Sequence, residues 1–370
     1  MSLFAGSACT FEQFRKLGSY RLDLHMKLKL ISRTVGVIAF AVSLVSLASE
    51  IDEQPDVTIA STTGVFIVYG DIRFTDPSHC AVSSVYARKA LVDQVSKISA
   101  RPDFVLLTGD IVYHGDDAND WAVFDNETKP FRNQNLRVLS VLGNHDVRGN
   151  SGQRNFVEHF DELKKHEQLK KNGWYSMDYG SSHFVMLDSQ SSYAEQLPQG
   201  AWLRKQLKGV PEDLDFLIVV LHHPLVTHAS RTPFRFSCDG QHTLVAGHDV
   251  EDAEQSLKGV LENFSRTHPQ VRVLVFSGHN HNYERYVVNN ITYVVTGGGG
   301  ATPYRIVRGP KDLYREPGPT YHYCRLQLVG HSLKFQMFKL KSSEGNPEWE
   351  MKDAFEMNAQ MPNSTVPPPH

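Results

Sequence analysis

The chain carries little that would staple it, span a membrane or neutralise a polyanion. Only four cysteines occur in 370 residues, none in a Cys-x-x-Cys pair, so thiol redox catalysis and thiolate zinc sites find no support. No apolar stretch reaches the ~20 residues that cross a bilayer core, which excludes a polytopic membrane protein. Neither sign of charge dominates: 38 Lys and Arg against 41 Asp and Glu leave a net charge of -3. A binder of duplex nucleic acid needs a basic excess to displace counterions, and none is present. What remains, 41% hydrophobic and 21% charged residues, is the balance of a globular chain long enough to bury a large core. Histidine, with 18 residues, is the one excess. With so few thiols, any metal would be bound through nitrogen and oxygen.

The N-terminus reads as a targeting segment. Lys27, Lys29 and Arg33 precede an uncharged run, Thr34–Ser49, and Ser46-Leu47-Ala48 offers small residues for cleavage. That order is the pattern of a secretory signal peptide over 26–48, with Met26 as the start and 1–25 a mis-assigned start or an extension. A retained anchor or a buried helix is the other reading of the same run. Export, periplasmic or secreted, implies an oxidising compartment, where Cys80, Cys238 and Cys324 form one disulfide at most. From Ser342 the chain is polar and then rich in proline, so 342–370 is expected to be a loose tail.

Between the ends, five short apolar runs read as buried strands: Val65–Tyr69, Phe104–Thr108, Val138–Leu142, Phe216–Leu221 and Val271–Phe276. Helical spacing marks Ala81–Ala100, Trp121–Arg132, Gln199–Leu207 and Val250–Thr267. Trp174–Tyr179, His183–Leu187, Thr292–Thr296, Cys324–Val329 and Leu333–Leu340 add strands with short connections. The expected fold is α/β: a two-sheet sandwich of mixed strands flanked by helices, formed by one domain over 60–341.

Polar residues follow five of those strands directly. Asp71 lies in Gly70-Asp71-Ile72-Arg73, Asp110 in Gly109-Asp110-Ile111-Val112-Tyr113, and Asn144 in Gly143-Asn144-His145-Asp146. His222 and His223 follow the fourth strand, and the fifth leads into Gly278-His279-Asn280-His281. Singly, each reads as a turn, a helix cap or a packed histidine. In order, they deliver carboxylates, an amide and imidazoles to one rim, the edge where α/β sheets bind ligands.

These clusters resemble the calcineurin-like metallophosphoesterase superfamily over about Gly64 to Arg285. Most members carry Asp-x-His in the first cluster, where this chain has Arg73. Purple acid phosphatases lack that histidine and use a tyrosine three residues after the second aspartate, where Tyr113 stands. Val219-Val220-Leu221-His222 and Gly278-His279-Asn280-His281-Asn282-Tyr283-Glu284-Arg285 also look like that branch. The resemblance implies one metal held by Asp71, Asp110, Tyr113 and His281, and a second held by Asp110, Asn144, His222 and His279. Fe(III) with a divalent Fe, Zn or Mn is the implied pair, and hard oxygen donors suit the trivalent ion. One departure stands out: Arg73 replaces a glycine of that branch.

The implied reaction is hydrolysis of small phosphate monoesters by a hydroxide generated on the metals. His145, oriented by Asp146, would protonate the leaving oxygen, and Arg73 and His228 would bind phosphate, with a surface-loop histidine the equal reading of His228. Arg73 reads equally well as the partner of a nearby aspartate. His223 reads as packing. Leu187-Asp188-Ser189 ends a strand with no partner for hydrolase chemistry, and Gly297–Gly300 reads as a tight strand-exit turn. A phosphodiesterase with the same metals, and a non-catalytic scaffold on the same fold, are the alternatives. Oligomeric state is left open.

Overall fold

A computed structural model of the chain describes residues 55–359 apart from 62, 80–81, 166, 228–229, 232–233, 237–242, 246–251, 304–305, 317–319 and 343. The extension and signal peptide read over 1–48, together with Cys80, Cys238 and His228, lie outside the described residues. Cys324 is a buried free thiol.

The strands in chain order are β1 Val57–Ile59, β2 Val65–Tyr69, β3 Phe104–Leu107, β4 Arg137–Ser140, β5 Tyr175–Tyr179, β6 Ser182–Met186, β7 Phe216–Val220, β8 Ser230–Arg231, β9 Phe234–Phe236, β10 Thr243–Val245, β11 Arg272–Ser277, β12 Tyr283–Val288, β13 Ile291–Thr296, β14 Ile306–Val307, β15 His322–Val329, β16 Ser332–Leu340 and β17 Trp349–Asn358. The helices are α1 Val85–Lys97, α2 Ala118–Glu127, α3 Lys129–Asn133, α4 Gly152–His159, α5 Glu167–Asn172, α6 Pro198–Lys208 and α7 Asp252–Thr267. None of the described helices is long and apolar enough to cross a membrane.

Two sheets form the expected sandwich, in the orders β1-β5-β6-β7-β11-β13-β12 and β17-β16-β15-β2-β3-β4. Parallel pairs occupy the centre of the first sheet, through β6, β7, β11 and β13. In the second sheet, β2, β3 and β4 are parallel. Strands covered on both faces need apolar residues at every position, and β7 shows why its run is unbroken. Phe216, Ile218 and Val220 join the core shared by the two sheets, while Leu217 and Val219 pack with Leu203 of α6 and Leu257 of α7. Phe66 and Phe104 stack at 5.0 Å and meet the edges of Tyr179 and Phe184 from the other sheet. The five strands that end in polar clusters, β2, β3, β4, β7 and β11, all have parallel neighbours; four are central and β4 lies at the edge of its sheet.

Two boundaries differ from expectation. The helix read over Trp121–Arg132 breaks at Thr128, because Pro130 has no N–H and its ring obstructs the preceding turn. The tail read from Ser342 holds a full edge strand instead: β17 pairs antiparallel with β16 from Trp349 to Asn358. Its inward face, Trp349, Asp353, Phe355 and Met357, contains an acid and is put out of phase by an irregularity opposite Met337 and Phe338, and together these hide the alternation in sequence. Asp353 accepts from the Tyr283 hydroxyl at 2.8 Å and from Arg285 at 2.7 and 3.0 Å. Phe355 stacks on Phe335 at 4.4 Å. The Tyr-Glu-Arg end of the fifth cluster thus anchors this strand.

His322 opens β15 beneath the glycine turn after β13, where a Cβ on Gly298 would collide with its ring. Its Nε2 pairs with the Thr296 hydroxyl at 3.0 Å and its Nδ1 with the Thr320 carbonyl at 3.1 Å. Burial pulls its pKa down to about 4. Below about pH 6.5 the unfolded chain protonates this histidine and the folded one does not, so stability falls as pH drops from about 6.5 to about 4. His322→Gln should remove on the order of 3 kcal/mol from the acid-induced loss, read by urea denaturation at pH 7 and pH 4. Identical losses in the two proteins would show that His322 is not the group responsible.

Candidate metal centre

The loops leaving β2 and β3 lie side by side. Asp71 N–H donates to the Gly109 carbonyl at 2.9 Å, and the N–H groups of Ile72 and Arg73 both reach the Asp110 carbonyl at 3.0 Å. This close pairing forces left-handed backbone on residues that rarely adopt it. Asp71, Arg73, Asp110 and His279 have φ of 55°, 53°, 54° and 66°. Such conformations cost about 1–3 kcal/mol each and persist only where surrounding contacts hold them.

Both carboxylates are fully buried. Burial, then the charge of Asp110, pushes Asp71 well above the usual carboxylate range. At Asp110 burial pulls the same way, but His222, His145 and Arg73 outweigh it and hold the group well below that range. Asp71 Oδ2 accepts the His279 N–H at 2.8 Å, yet its Oδ1 is buried with no hydrogen bond among the described residues. His281 Nε2 stands 3.5 Å from that oxygen. His281 Nδ1 meets the Thr302 carbonyl at 2.7 Å, so it carries the proton and Nε2 presents a lone pair to the carboxylates. Asp71, Asp110 and His281 form one group with the spacing of metal donors.

A second group shares Asp110. His222 Nδ1 meets the Thr108 carbonyl at 2.9 Å, which again turns Nε2 toward the site. His222 Nε2 lies 3.3 Å from Asp110 Oδ1 and 3.1 Å from Asn144 Oδ1. His279 Nδ1 lies 3.1 Å from Asn144 Oδ1 and 3.2 Å from His222 Nε2. Donors held ~2.0–2.1 Å from one ion stand roughly 3.0–3.4 Å apart, so this spacing fits a coordination sphere. The orphaned Asp71 oxygen and these mutual distances both fit bound metal.

His223, expected to be packing, belongs to this group: its donor atoms lie near those of His222 and His279, and its ring is 4.4 Å from that of His279. Ser189, read as having no partner for hydrolase chemistry, sits 2.8 Å from His223 Nδ1. The sequence held no signal for that pair, which spans 34 residues.

The catalytic assignments change more. Asp146 does not orient His145: its oxygens accept the backbone N–H groups of Gly143 and Ile111 at 2.8 Å and Val112 at 3.2 Å. It clamps the second loop to the third, although burial and then Asp110 push its pKa up to about 8. His145 Nδ1 is held instead by the Tyr113 carbonyl at 2.7 Å, and Nε2 faces Arg148 Nη2 at 2.9 Å. Burial, with Arg73 and Arg148 adding to it against Asp110, pulls His145 down to about 3. The ring is neutral there, and Arg148, which sequence reasoning passed over, is the cation beside it. The Arg148 guanidinium also lies 5.6 Å over the Tyr113 ring. The Tyr113 ring stands 5.2 Å from that of His145, and among the described residues its hydroxyl makes no hydrogen bond to Asp71, Asp110 or His281. Arg73, read as a phosphate ligand or an aspartate partner, is the latter: its Nη2 and Nε lie 3.1 and 3.3 Å from Asp110 Oδ2.

Two mixed sheets with clustered carboxylates and imidazoles at the ends of their parallel strands define the metallophosphoesterase class. Residues 64–283, more than half of the chain, match the family model for calcineurin-like phosphoesterase, and the chain belongs to that family. A phosphoenolpyruvate phosphatase of Allium cepa is 30% identical over 175 residues, covering 43% of this chain and 32% of that protein. A protein named probable inactive purple acid phosphatase 1, of Arabidopsis thaliana, is 24% identical over 302 residues, covering 75% of this chain and 48% of that one. The chain thus spans about half or less of the length of these curated relatives. The purple acid phosphatase from yellow lupin (Lupinus luteus) seeds shares the fold, with a TM-score of 0.59 at 17% identity over 82% of this chain and 55% of that one.

Gly278 lets the fifth cluster close on the first, since a Cβ there would collide with Asp71 Oδ2 and crowd the Thr108 carbonyl. Gly278→Ala should cost about 1–3 kcal/mol in urea denaturation by overpacking against backbone that cannot move away. Unchanged stability would mean that the loops yield.

Proposed function

We propose that this chain hydrolyses phosphate monoesters at a binuclear centre of Fe(III) and a divalent Fe, Zn or Mn. The observation that carries the reading is the position of Asp110 between two donor sets, with Asp71 and His281 on one side and Asn144, His222 and His279 on the other; Tyr113 joins the first set only as part of this reading. When bound, the metals would supply Lewis-acid polarisation of phosphate oxygens and a water acidified for attack.

The chain's own groups do the rest. Backbone carbonyls fix the tautomers of His222 and His281, so both rings arrive with lone pairs already aimed. Asp146 holds the loops bearing Asp110 and Asn144 in register. Left-handed backbone at Asp71, Asp110 and His279 is retained because it brings three loops within reach of one another, and donors fixed in advance need no reorganisation during reaction. His145 and Arg148 place a neutral imidazole and a guanidinium beside the carboxylates, where a leaving oxygen would be met. His228, beyond the described residues, retains its expected contact to phosphate as part of this reading. A small phosphorylated substrate is in keeping with the relative named for phosphoenolpyruvate. The basic and then apolar segment Lys27–Ala48 supports export of the chain.

A scaffold without catalysis is the second reading, favoured by Arg73 on Asp110 and by the relative named inactive. Metal-replete protein is expected to hydrolyse a chromogenic phosphomonoester faster than the matching diester. Preference for the diester would move the chain to phosphodiesterases, and no turnover of either by fully loaded protein would leave the scaffold standing. A tyrosinate on Fe(III) absorbs visible light, so Tyr113→Phe should abolish the colour of the iron form; a band that survives removes Tyr113 from the ligands.

A further inference from the structure

The two oxygens of Asp110 serve different cations. Oδ1 accepts the His145 N–H at 2.9 Å and faces His222 Nε2 at 3.3 Å, toward the second donor set. Oδ2 is taken by the Arg73 guanidinium at 3.1 and 3.3 Å, inside the first donor set. The Arg73 side chain is only 14% exposed, so water screens this pair poorly. An ion entering beside Asp71 and His281 must compete for Asp110 Oδ2 with a permanent positive charge and meet that charge at close range. An ion entering among Asp110 Oδ1, Asn144, His222 and His279 meets donors that already converge.

The arginine is also held from behind. Its backbone N–H reaches the Asp110 carbonyl at 3.0 Å, and its carbonyl accepts from the buried Arg88 at 3.3 Å. Arg88 is itself paired with Glu127 at 2.9 Å. A left-handed φ of 53° is thereby imposed on a residue with a Cβ, where glycine would sit without strain.

We propose that Arg73 makes the two metal positions unequal: the second fills first, and the first fills only when the guanidinium leaves Asp110 Oδ2. The proposal rests on the two-site reading above but concerns loading rather than turnover. The test is calorimetric titration of the metal-free protein with Zn(II), with bound metal counted by elemental analysis after desalting. The wild-type protein should take one equivalent tightly and a second at least about tenfold more weakly, the scale of a charge-assisted contact that must be broken. Arg73→Gly, whose φ suits glycine, should tighten the weaker step by about tenfold or more and leave the tighter one in place. Asp71→Asn should abolish the weaker step alone. Two equal steps in the wild type, or a weaker step unmoved by Arg73→Gly, overturns the proposal. Uptake of no zinc by any form overturns the two-site reading itself, an outcome distinct from a failure of the loading order.

Discussion

Two carboxylates with no exposure to water, Asp71 and Asp110, are the constraint on which this structure turns. Like charges in a low-dielectric interior repel strongly, and neither can ionise cheaply without a cation. The chain answers with His222, His145 and Arg73 around Asp110, while one oxygen of Asp71 is left with no hydrogen bond among the described residues. The same acids have the Nε2 atoms of His222 and His281 turned toward them, and the proposed metal centre rests on that arrangement.

The sandwich makes that arrangement affordable in geometry. Five strands with parallel neighbours end where these side chains meet, so none of them needs a long flexible arm to reach the others. Short loops then fix the details through backbone. The clamp at Asp146, the carbonyls of Thr108 and Thr302, and the buried Arg88–Glu127 pair all hold main chain or ring orientation rather than touch a substrate. Replacing one of these groups would move donors by fractions of an ångström, which is the scale on which coordination is decided.

Much of this was readable in one dimension because the strands that carry the site are buried on both faces. Val65–Tyr69 and Phe216–Val220 announce themselves as apolar runs, and the polar residues that follow gain meaning only from their recurrence after five such runs. That order brought Asp71, Asp110, Asn144, His222, His279 and His281 to one rim, and the resemblance to purple acid phosphatases divided them into two donor sets. Other features depend on contacts between distant segments. β17 reads as tail in sequence because Asp353 and an irregular register break its alternation, and only the pairing of Asp353 with Tyr283 and Arg285 explains the acid. Arg148 gave no periodic or motif signal, and Ser189 meets His223 only through the fold. The role given to Asp146 failed for a local reason: an acid next to a histidine suggested a ring partner, whereas the turn aims it at three backbone amides. Arg73 offered two partners in sequence, and burial of Asp110 beside it selected one.

The central claim is that Asp110 lies between two metals. Anomalous diffraction from crystals grown with excess zinc, recorded on both sides of the zinc edge, tests it most directly. The account predicts two peaks flanking the Asp110 carboxylate, one beside Asp71 and His281 and the other among Asn144, His222 and His279. Peaks elsewhere on the chain, or none near Asp110 in metal-saturated crystals, would contradict it.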